Sequence, residues 1–84
     1  MDDDLIFAAA AAIREYLSTR PNAADTVEGI HQWWIRWDSQ PESIAVTMAA
    51  VEHLAESGFL EPVKAGSRCL WRRRNDSGHA SLPG

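Results

Sequence analysis

Three histidines and one cysteine are the side chains best suited to hold a metal or carry a nucleophile, and their spacing limits what they can do. His31, His53, His79 and Cys69 form no C-x2-C or H-x3-H pair, so no short stretch offers two ligands at once, as structural zinc sites do. Glu52 and His53 are adjacent, and neighbours on a helix point about 100° apart, which denies them a shared face. Cys69 stands beside Arg68, a cation that favours a thiolate, but a half-buried strand cysteine is ordinarily inert. The sequence contains no glycine-rich phosphate loop, nucleophile elbow or H-E-x-x-H run. The expectation is a protein that is not an enzyme and has no catalytic, metal or cofactor-binding residues.

What chemistry remains is charge and aromatic surface. The net charge is −4, yet five of the eight basic residues, Lys64, Arg68, Arg72, Arg73 and Arg74, fall close together. They are the candidate nucleic-acid contacts; the alternative is a solvated, solubilising end. From Pro41 to Gly58 there is no Lys or Arg, and Glu42, Glu52 and Glu56 carry the only charges at neutral pH. Three of the four tryptophans sit together at 33, 34 and 37. Trp33 and Trp37, four residues apart, should share a face; they either broaden a small core or form an aromatic patch of the kind that anchors interfaces.

The elements that must position these residues are marked by period and punctuation. A first helix is predicted over Leu5–Leu17, with Asp2 to Asp4 at its positive end and Ile6, Ala9, Ala10, Ile13, Tyr16 and Leu17 as its buried stripe. Its alanines are strong helix formers that also permit another helix to come close. Pro21 ends it. Asp25 or Thr26 caps a second helix, whose core stripe is Val27, Ile30 and Trp34; Gly29 within it implies a close neighbour or a tolerated surface position. Trp37 to Pro41 turns the chain into a third helix that stops at Gly58. Placing Ile44, Met48, Val51, Leu54 and Ala55 inward leaves Ser43, Val46, Thr47, Ala50 and His53 facing out, a small and partly apolar face. Phe59–Val63 and Ser67–Arg72 then read as two strands joined around Lys64-Ala65-Gly66, with Pro62 confined to an edge.

Helix, helix, turn, helix, hairpin over about Leu5 to Trp71 resembles the winged helix-turn-helix superfamily. The resemblance implies an α+β, mainly α fold: three helices and a C-terminal two-stranded β-hairpin wing, here over residues 1–74; the tail over 75–84 lies outside it and, rich in Asn, Asp, Ser, Gly and Pro, is expected to be disordered. The resemblance also implies DNA binding through the third helix and the wing. The acidic third helix points instead to a protein-interaction or adapter module with a regulatory role. Trp33, Trp37, Ser43, Val46, Thr47, Ala50 and His53 are its candidate contacts, and its partner is another protein or a second copy in a homodimer. DNA binding through the third helix and the basic wing is the alternative. The acidic start is unlike a signal peptide, no apolar run approaches a membrane span, and a single cysteine suits a reducing compartment; a soluble cytoplasmic protein without membrane contact is expected.

Overall fold

The computed structural model describes residues 3–37 and 40–74. The fold is α+β and mainly helical, with three helices and a three-stranded antiparallel sheet. The expected tail over 75–84, with His79 in it, and Asp38 and Ser39 of the second turn lie outside the described residues. Among the described residues no helix is long and apolar enough to cross a membrane.

Helix α1 spans Asp3–Thr19, with Asp3 and Asp4 in its first turn, where the macrodipole favours negative charge. The expected stripe is the buried one: Ala9, Ala10, Ile13 and Leu17 are in the core, and Ile6 and Tyr16 pack against it. Ala9 and Ala10 are buried, α1 packs against the third helix, and Ala10 lies on the border that faces it. The amide of Arg20 donates to the carbonyl of Tyr16 at 3.1 Å, closing the helix before Pro21.

A two-residue strand, β1 (Ala24–Asp25), follows, which the sequence pattern does not announce because two residues carry no alternation. The second helix then starts on both candidate caps. The Asp25 carboxylate accepts from the Thr26 amide at 2.8 Å, and the Thr26 hydroxyl accepts from the Gly29 amide at 3.2 Å. This helix, α2, is regular only over Val27–Gly29; Ile30–Trp34 continues as a π turn. Ile30 and Trp34 point into the core as expected, and Ile35 joins them once the backbone becomes extended at φ −104°, ψ 129°.

Helix α3 spans Ile44–Glu56, with the Ser43 hydroxyl accepting from the Ala45 amide at 3.1 Å. Its orientation corrects the sequence reading. Val46, Thr47 and Ala50 are buried together with Val51 and Leu54, while Ile44 and Met48 are 37% and 46% exposed. The helix is turned by roughly a quarter turn from the expected phase. Thr47 is fully buried because its hydroxyl lies 2.7 Å from Nδ1 of His31, which satisfies it. At the other end Gly58, at φ +86°, closes a Schellman motif: its amide donates to Ala55 and that of Phe59 to Leu54, at 3.1 and 2.8 Å.

Strands β2 (Leu60–Ala65) and β3 (Arg68–Arg73) form the hairpin. Its loop is Gly66-Ser67, with positive φ at the glycine alone, as a II′ turn requires. Instead of an isolated ribbon, the sheet has the order β1-β3-β2, because Ala24 and Asp25 pair with Arg72 and Trp71. Pro62 is therefore on an edge strand, where its missing N–H costs no ladder bond. Leu60 enters the core, and Phe59 and Trp71 cover its margin.

Candidate functional site

A shallow groove lies between α1 and α3. On α1, Phe7, Ala10, Ala11 and Arg14 recur at spacings of three and four, so they share one flank of the helix. His53 of α3 faces them across a groove of about 410 Å³. Ala10 is buried and gives the groove an apolar floor, while Phe7 is 54% exposed. The Phe7 and His53 rings lie 5.3 Å apart, inclined at 56°, which is edge-to-face-like contact that holds the phenyl ring beside the groove.

Arg14 links this groove to the hairpin. Its guanidinium carbon is 5.3 Å from the centre of the Phe59 ring, and that of Arg73 is 5.7 Å from the same ring. Two cations from distant parts of the chain are thus held on one aromatic face-bearing side chain at the base of the sheet. Gly58 is part of the same corner: a Cβ there would lie 3.7 Å from a terminal nitrogen of Arg74.

The five basic candidates do not form one patch. Lys64 and Arg68 are exposed near the hairpin tip. Arg72 is directly opposite Glu61, and its Nε donates to Glu61 Oε2 at 2.7 Å, which offsets its charge locally. Arg73, one residue on, projects to the other face of the sheet, towards Phe59.

The protein-contact candidates are divided as well. Trp33 is 72% exposed, the most open of the large apolar side chains, and Ser43 and His53 are also at the surface. Trp37 packs on the core margin and donates from Nε1 to the carbonyl of His31 at 2.9 Å, so it makes no common face with Trp33. The i, i+4 relation fails here because the helix ends at Trp34. Val46, Thr47 and Ala50 are in the core and cannot meet a partner. The outward side of α3 is instead Ile44, Met48 and Glu52, still without a cation.

Sequence reasoning missed Phe7, Ala11 and Arg14. Their spacing was legible on the polar side of α1, but the alanines around them made that side look like plain helix propensity. Cys69 is exposed on β3. Among the described residues, no three His, Cys, Asp or Glu side chains gather as a metal site would require. No family model, curated protein or solved structure matches the chain.

Proposed function

We propose that this chain is a small, non-enzymatic protein-interaction module on a winged-helix frame, and that the α1–α3 groove is its docking surface. The observation that carries the reading is Phe7, more than half exposed yet held by His53 beside a groove with an alanine floor and polar margins at Arg14 and His53. A large aromatic side chain kept at the surface by a neighbouring ring is the kind of anchor around which interfaces are built. Trp33 and the outward Ile44 and Met48 add apolar surface elsewhere. The frame supports the reading through its order of helices and hairpin, and through an α3 that has no Lys or Arg for phosphates and no Arg, Asn or Gln for base edges. The single cysteine, exposed and unbridged, suits the reducing cytoplasm as the place of action.

A DNA-binding role is the second reading, favoured by Arg14 joining Arg73 and Arg74 around Phe59 and Gly58, with Lys64 and Arg68 near the tip. Such an edge would grip phosphates, not bases, and its binding would fall steeply with salt. One experiment separates the two. A photoreactive amino acid placed at Ala11, or in parallel at Lys64, is activated in living cells. The docking reading expects a protein adduct from position 11 that disappears with Phe7→Glu, and none from position 64. Nucleic-acid adducts from position 64, with position 11 silent, would replace it with the DNA reading.

A further inference from the structure

We draw no further inference here: the strongest candidate, the exposed stripe of Phe7, Ala11 and Arg14 along α1 beside the groove, belongs to the docking surface already described, and nothing in the structure shows what covers it.

Discussion

Ala50 and Met48 are two residues apart on α3, and their side chains decide what that helix is for. Ala50 has no exposed surface and Met48 is 46% exposed. Ala50→Arg would bury a guanidinium in the core and should cost more than about 3 kcal/mol, whereas Met48→Arg should change stability by less than about 1 kcal/mol. Thermal unfolding of the two variants side by side tests the phase of the helix; the reverse ranking would restore the face expected from sequence. That phase was not legible for a physical reason. Residues 44–51 are apolar, small or Thr, so no charged side chain marks the wet side, and two stripes fit a spacing of three and four equally well. The one polar residue, Thr47, pointed the wrong way because its hydroxyl is satisfied internally by His31, a partner 16 positions earlier. In α1 the charged Arg14 and Glu15 fixed the phase, and the buried stripe was read correctly.

At the level of elements, the ends were legible and two of the middles were not. Pro21, Thr26, Gly58 and Gly66 each act through local backbone chemistry, and each terminates or caps its element as that chemistry requires. Strand β1 and the π turn depend on what packs against them, which local pattern does not encode. Gly29 shows both sides. A close neighbour was one of its two readings, and the neighbour is the Asp25 carboxylate, which occupies the space a Cβ would need. Gly29→Ala should gain up to about 1 kcal/mol of helix propensity but displace Asp25 from the Thr26 amide, for little or no net gain. In an Asp25→Ala background the same change should stabilise by about 0.5–1 kcal/mol. A double-mutant cycle by urea unfolding measures the difference; equal effects in both backgrounds would mean that Asp25 moves aside freely.

For the molecule as a whole, Phe59 is the joint between helices and sheet. It follows the Schellman stop of α3, covers the core margin, accepts at its carbonyl from the Arg74 amide at 2.8 Å, and carries Arg14 and Arg73 on its ring. Phe59→Ala should lower unfolding stability by about 2–3 kcal/mol, below the full range for a buried aromatic because the ring is only partly buried. Urea titration should show a lower midpoint with an unchanged slope, since the surface exposed on unfolding is the same. A slope that also falls would mean the hairpin detaches before the helices.

The pairing of Ala24 with Arg72 has a further consequence during synthesis. Of the described elements the central strand of the sheet is the last to leave the ribosome, and β1, made early, has no partner until it arrives. The helices emerge first, and Leu60 and Trp71, which complete their cover, come late. The nascent chain must therefore carry the part of the helices' apolar surface that the hairpin covers open to solvent until β3 is made, a period in which chaperone binding to that surface would compete with folding.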